Sequence, residues 1–315
     1  MAESGNNWER DTLEKLLLAT IKEQRKARGW NILFRFMTFG MMFLVFAAAM
    51  GWLSGSKDAE GLGGSHTAVV EMFGEIAPGS RASADVVMEG LRNAFKDKNT
   101  KGVILRINSP GGSPVQAGQI FDEIRRLRAR HPAIPIYTVV DDICASGGYY
   151  AAAATDKIYV DKASLIGSIG VLMNGFGFTG AMEKLGVERR LLTAGKNKGF
   201  LDPFSPMNAE QQTFAKEMLT QIHQQFIDVV RQGRGKRLKD DENTFSGLIW
   251  NGEQGIKMGL ADGFGSVDSV ARDVIKVEKT VDFTPKENWA DRFAKNIGTS
   301  VADHLPLSQS GLQLR

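Results

Sequence analysis

Apolar positions fall into three regimes along this chain. Within residues 7–28, Leu13, Leu16, Leu17 and Ile21 recur at three- and four-residue spacing, which predicts an amphipathic helix. From Phe36 to Leu53, eighteen positions pass without a charge, bracketed by Trp30 and Trp52. A helix between those tryptophans reaches roughly 33 Å, close to the hydrocarbon thickness of a bilayer. Beyond residue 65 the apolar runs shorten. HTAVVEMFGEI (66–76) predicts a strand, 83–97 a helix, and KGVILRIN (101–108) a strand of the kind found in covered parallel sheets. Residues 114–130 read as a helix, 134–142 as a strand, 146–154 as a buried helix and 157–163 as a strand. Helices over 208–232 and 266–278 follow. This β–α alternation argues for an α/β fold with a mainly parallel sheet.

The organisation that follows is a cytoplasmic helix in 1–29, a transmembrane anchor in 30–53, a Gly/Ser-rich linker in 54–65, a globular domain in 66–281 and a peripheral tail in 282–315. Lys22, Arg25, Lys26, Arg28 and Arg35 precede the apolar core, whereas Lys57 and then Arg81 follow it. That asymmetry puts the N-terminus in the cytoplasm and the large domain outside. Tryptophans at both ends fit interfacial belts. About thirty-five residues precede the apolar core, long for a secretory leader, although Ala47-Ala48-Ala49 offers small residues for cleavage.

Charge and cysteine usage narrow the rest. A net charge of +3 on 315 residues, without basic and aromatic residues interleaved, does not point to nucleic acid. The single cysteine, Cys144, excludes an intrachain disulfide. His66, His131, His223 and His304 are scattered and make no metal-ligating spacing.

Candidate chemistry sits in the turns. NSPGGSP (108–114) lies between a strand and a helix, where α/β sheets carry their sites. Gly111 and Gly112 let backbone N–H groups approach a ligand oxygen, which suits an oxyanion hole; a plain tight turn is the alternative. CASGGYY (144–150) places Ser146 where the next strand meets a helix, either as a helix cap or as a nucleophile. A serine nucleophile needs a base, and a lysine made neutral by burial can serve. TAGKNKGFLDPFSP (193–206) offers Lys196 and Lys198, which by spacing alone read as a solvated loop.

Taken together and in order, INSPGG, DDICASGGYYAAAATDKIYV, SLIGSIGV and GKNKGFLDPFSP resemble the bacterial signal peptide peptidase family of Ser–Lys serine proteases, peptidase family S49, in its short form and its SohB-like relatives. The resemblance runs from about residue 66 to 275. It implies a ClpP/crotonase-like fold, preceded here by one transmembrane helix. It implies Ser146 as nucleophile, Lys198 rather than Lys196 as base, Gly111 and Gly112 as oxyanion donors, and Ser168 as a hydroxyl that orients the lysine. This chain has Asn197 and Gly199 where members often carry tyrosine and serine. Neither metal nor other cofactor is implied. Expected partners are residual signal peptides or other apolar peptides, membrane lipid and further copies of the chain in an octamer-like ring. The resemblance puts the catalytic domain on the periplasmic side of the inner membrane, and leaves open whether the dyad forms within one chain or across an interface. Two other readings of the function stand beside it: a quality-control protease for membrane proteins with the same chemistry, and a catalytically idle membrane scaffold. A crotonase-type acyl-CoA enzyme would leave Ser146 and Lys198 without a role. Cys144, two residues from Ser146, reads as a small buried hydrophobe.

Overall fold

The computed structural model describes residues 5–49 and 64–286. Most of the expected linker, Trp52 with the end of the apolar run, and the tail beyond residue 286 lie outside the described residues. The chain divides into two units, one containing the N-terminal helix and the other spanning Gly61–Lys286.

In the first unit, α1 runs unbroken over Gly5–Ala49, so the amphipathic stretch and the apolar stretch share one helix. Its portion Lys22–Ala47 is long and apolar enough to cross a membrane. Side chains from Phe36 to Phe46 stand exposed, unlike those of a helix buried in a soluble core.

The second unit follows the order β1 (His66–Phe73), α2 (Ala84–Lys96), β2 (Thr100–Ser109), α3 (Pro114–Arg130), β3 (Ile136–Ala145), α4 (Gly147–Ala152), β4 (Lys157–Val160) and β5 (Leu165–Gly167). There follow α5 (Thr179–Lys184), α6 (Ala209–Arg234), β6 (Ile249–Asn251), α7 (Gly252–Met258), β7 (Gly263–Phe264), α8 (Val267–Ser269) and β8 (Thr280–Asp282). Where one helix was expected over 266–278, α8 gives way to a π-helical turn at Val270–Ile275. Among the described residues the sheet runs β6-β5-β3-β2-β1-β8, with β4 and β7 branching from β3. Every pairing is parallel except β5 with β6. The branch arises because β3 is long: Tyr137–Val139 pair with β4, whereas Ile143–Ala145 pair with β5.

Alternation of side chains along the strands builds two unequal layers. Ala68, Val70 and Met72 of β1, with Val103, Leu105 and Ile107 of β2, are buried in the core beneath the helices. The intervening Val69 and Ile104, with Val139 and Tyr159, form a smaller cluster under Val270 and Ala271. Between the layers' roles, Arg106 spans to Glu71 and Asp141 at 3.1 and 2.9 Å. α6 anchors through buried Phe226, Val230 and Arg234. Its Gly233 comes so close to α4 that any Cβ there would strike the Ala153 carbonyl.

Candidate active site

The carboxyl ends of β2, β3 and β5 converge, and each delivers one piece of a cleft. After β2 the chain turns through Gly111 (φ +103°) and Gly112 (φ +143°). Ser113 then caps α3, its Oγ accepting from Gln116 N at 3.4 Å, with Pro114 in the first helical turn. The glycines are sterically required. A Cβ on Gly111 would lie 2.7 Å from the Ser146 Cβ, and one on Gly112 would collide with the Ile76 carbonyl. Ile76 N donates to Gly111 O at 2.8 Å and Ser113 N donates to Ile76 O at 2.7 Å, so the turn is held from both sides.

After β3 comes Ser146, with φ +52° and ψ −123°. A serine held at positive φ is strained by about 1–3 kcal/mol, and the geometry is that of a sharp strand-to-helix elbow that thrusts its hydroxyl outward. Ser146 N donates to Gly167 O at 2.9 Å, and Ser146 O accepts from Tyr150 N at 2.9 Å. Behind it, fully buried Tyr149 donates its hydroxyl to Leu260 O at 2.7 Å. Burying such a ring is worth about 1.5–3 kcal/mol, enough to offset the strain. Ser146 occupies the N-cap position but its side chain makes no cap hydrogen bond. By contrast, nearby Ser164 donates to Asp141 O at 2.6 Å and Ser109 accepts from Gly111 N at 3.2 Å.

β5 supplies the third piece. Gly167 holds Ser146, and Ser168 follows at φ +50° with its N–H donated to Leu248 O at 2.8 Å. Ser146, Gly112, Gly147 and Ser168 line one cleft of about 500 Å³, walled by Tyr150, Leu172 and Phe226.

Two expected residues stand apart. Gly111 does not line the cleft, and its N–H is directed to Ser109. Lys198 does not line it either: it lies in an exposed turn over 196–200, where its N–H donates to Gly195 O at 3.1 Å. The competing Lys196 is also exposed and pairs with Glu210 at 3.1 Å. Cys144 is wholly buried in the core, and burial pushes its thiol up, away from the reactive thiolate. Among the described residues no group of three or more His, Cys, Asp or Glu side chains is placed to hold a metal ion. The sequence pattern did not single out Gly147 as a cleft residue; the structure places it beside Gly112, where a Cβ built on it would sit 3.4 Å from Gly112 N.

Comparison with known proteins points the same way. Residues 128–282 match the model of Peptidase family S49, a span that contains Ser146, Ser168 and Lys198. The chain is 32% identical over 216 residues to the Enterococcus faecium protein named "Putative signal peptide peptidase SppA", covering 68% of this chain and 62% of that one. It is 29% identical over 218 residues to "Protease 4" of Haemophilus influenzae, covering 68% and 34%. A Brucella melitensis protein named "Na(+)/H(+) antiporter NhaA" is 46% identical over 182 residues, which is 58% of this chain but 25% of that protein. The chain thus spans between a quarter and about three fifths of the length of these relatives, and most of the protein named as an antiporter lies outside the shared segment.

Proposed function

The chain belongs to peptidase family S49 through residues 128–282, with its ClpP-like fold, and from that premise we propose that it is a membrane-anchored serine endopeptidase with a Ser146–Lys198 dyad. The observation that carries the reading is Ser146 itself, held at a strained elbow with its hydroxyl uncommitted to capping and opening into the cleft. Ser146 Oγ attacks a peptide carbonyl while Lys198 Nζ takes the proton and then delivers it to the leaving amine. The developing oxyanion is met by the N–H of Gly112 and the N–H of Gly147, two glycines that line the cleft with Ser146. Of the expected glycine pair, Gly112 is therefore the donor and Gly111 the spacer that lets Ser146 approach. Ser168 orients the lysine. Water then hydrolyses the acyl-enzyme.

Lys198 reaches this cleft from a second copy of the chain. The exposed excursion over 171–207 bears Leu172, Phe176 and Leu192 at 81%, 75% and 96% exposure, an apolar surface suited to self-association. A ring of the octamer kind then completes each dyad across an interface. The substrates are residual signal peptides, whose apolar side chains suit walls made of Tyr150, Leu172 and Phe226. α1 holds the domain at the periplasmic surface of the inner membrane, N-terminus inside, with its apolar portion in lipid.

The test is hydrolysis of a fluorogenic apolar peptide by the full chain in detergent. Ser146→Ala and Lys198→Ala each reduce turnover by about a thousandfold or more, while Lys196→Ala and Cys144→Ala leave it within about twofold. Equal rates in all four variants, with folding intact by circular dichroism, overturn the proposal and favour the scaffold reading.

A further inference from the structure

We propose that His223 is a positioning residue for the Ser146 cleft, acting through the main chain of Ile169. The proposal deepens the hydrolase reading above and, for its kinetic arm, rests on it.

α6 is fixed to the body of the domain by its C-terminal half, where Phe226, Val230 and Arg234 are buried. Toward its N-terminus the helix becomes mostly exposed. His223 lies at that border, one turn before Phe226, and is half-buried. Its Nε2 meets Ile169 O at 3.0 Å, a contact across 54 residues of chain. A carbonyl oxygen only accepts, so Nε2 carries the proton and donates.

Ile169 belongs to the segment that holds the nucleophile. Gly167 O accepts from Ser146 N at 2.9 Å; Ser168 N donates to Leu248 O at 2.8 Å; Gly170 N donates back to Ser168 O at 2.9 Å. Ser168 is held at φ +50° in the middle of this run. A non-glycine residue stays in that region only when its surroundings over-determine it. Leu248 fixes one side of Ser168, Gly170 closes a tight turn on the other, and His223 fixes the peptide unit between them. The Ile169 side chain is fully buried, which leaves its carbonyl little recourse to water.

The geometry also explains why the tie comes from α6. Ile222, Gln225 and Phe226 of the same helix line the cleft that Ser146 and Ser168 also line. The His223–Ile169 bond therefore joins the helical wall of the cleft to its strand wall. Without it, Ser168 and Gly167 gain freedom, and Ser146, hydrogen-bonded to Gly167, gains it with them.

The experiment uses the full chain in detergent with three variants, His223→Ala, His223→Leu and His223→Gln. Steady-state peptide hydrolysis is read alongside backbone amide exchange at Ser146 and Gly170. The expected result for Ala and Leu is a kcat lowered about tenfold with KM within about twofold, and exchange at both amides faster by about tenfold. Glutamine, whose amide nitrogen can stand where Nε2 stood, restores both quantities to within about threefold. Leu restoring them where Gln does not means that His223 acts by packing, and overturns the proposal. Unchanged exchange in Ala and Leu overturns it too. If the wild-type chain hydrolyses no peptide, the protease reading fails, yet faster exchange in Ala and Leu with rescue by Gln still establishes the tie.

Discussion

Ser146 and Lys198 are 52 residues apart in sequence and differ in every physical respect. Ser146 is built into the packed sheet. Its N–H and carbonyl are both bonded, its φ is forced positive, and Tyr149 behind it is fully buried. Lys198 lies in an exposed turn of an excursion whose regular structure, among the described residues, is the six-residue α5. A nucleophile must be aimed before the reaction, and a buried scaffold does that cheaply. A lysine base must lose its proton near neutral pH, which requires burial. The Ser146 region is already a packed scaffold, whereas the excursion that carries Lys198 presents large apolar side chains to solvent; the dyad proposed above therefore calls for a cover over Lys198, which the proposed second copy would supply.

The sharpest way to break this contrast is complementation. Mixing full-length Ser146→Ala with full-length Lys198→Ala, each inactive alone, should restore roughly a quarter of wild-type turnover when copies assort at random around a heterologous interface. No recovery, with both variants forming the wild-type oligomer by light scattering, means that the dyad closes within one chain. A second test strikes the aimed side. Gly112→Ala puts a Cβ into the Ile76 carbonyl at a φ of +143°, so kcat should fall by about a hundredfold and melting should drop, while the excursion is untouched. An alanine variant with wild-type kcat would remove Gly112 from the oxyanion site.

The smallest effect concerns the body alone. Glu123, 7% exposed, accepts from Arg126 Nη2 at 2.7 Å and Arg92 Nε at 2.6 Å. Those guanidiniums, Arg126 foremost, outweigh its burial and hold its carboxyl down to about 2, against an ordinary 4.5. A depressed carboxylate contributes its stability above the unfolded value and loses it as pH falls from about 4.5 through about 2. Glu123→Gln should cost about 1–2 kcal/mol at neutral pH, less than a fully buried pair because both arginines are about half exposed. Denaturant midpoints of the two proteins should converge as pH approaches 2, with cleft geometry unaffected. A gap that persists at pH 2 would assign the effect to packing.

Much of the domain was legible from pattern. The expected helix 114–130 coincides with α3, and 83–97 and 208–232 match α2 and α6 to within two residues. Long amphipathic helices and apolar parallel strands carry enough periodic positions to declare themselves. β5, β6, β7 and β8, of two or three residues each, carry too few. Yet β5 fixes Ser146: the stretch SLIGSIGV stood out by resemblance, but a strand of three residues within it was too short to read from pattern. His223 was invisible for another reason: its partner, the Ile169 carbonyl, is a backbone group and leaves no trace in residue type.

What the sequence determined by itself is the local chemistry: an uncharged run of bilayer length, a β–α alternation, and two strand-to-helix turns, one with Gly111 and Gly112 and one with Ser146. Each of these depends on neighbours within a few residues along the chain. What tertiary structure alone decided is which groups share a cleft. It brought Gly112, Ser146, Gly147 and Ser168 together from three strand ends, turned Gly111 N–H away toward Ser109, and left Lys198 on the excursion. Such juxtapositions depend on strand order and on a helix crossing 54 residues later to meet a carbonyl. Those are long-range packing outcomes, set by burial of the whole core rather than by any local pattern.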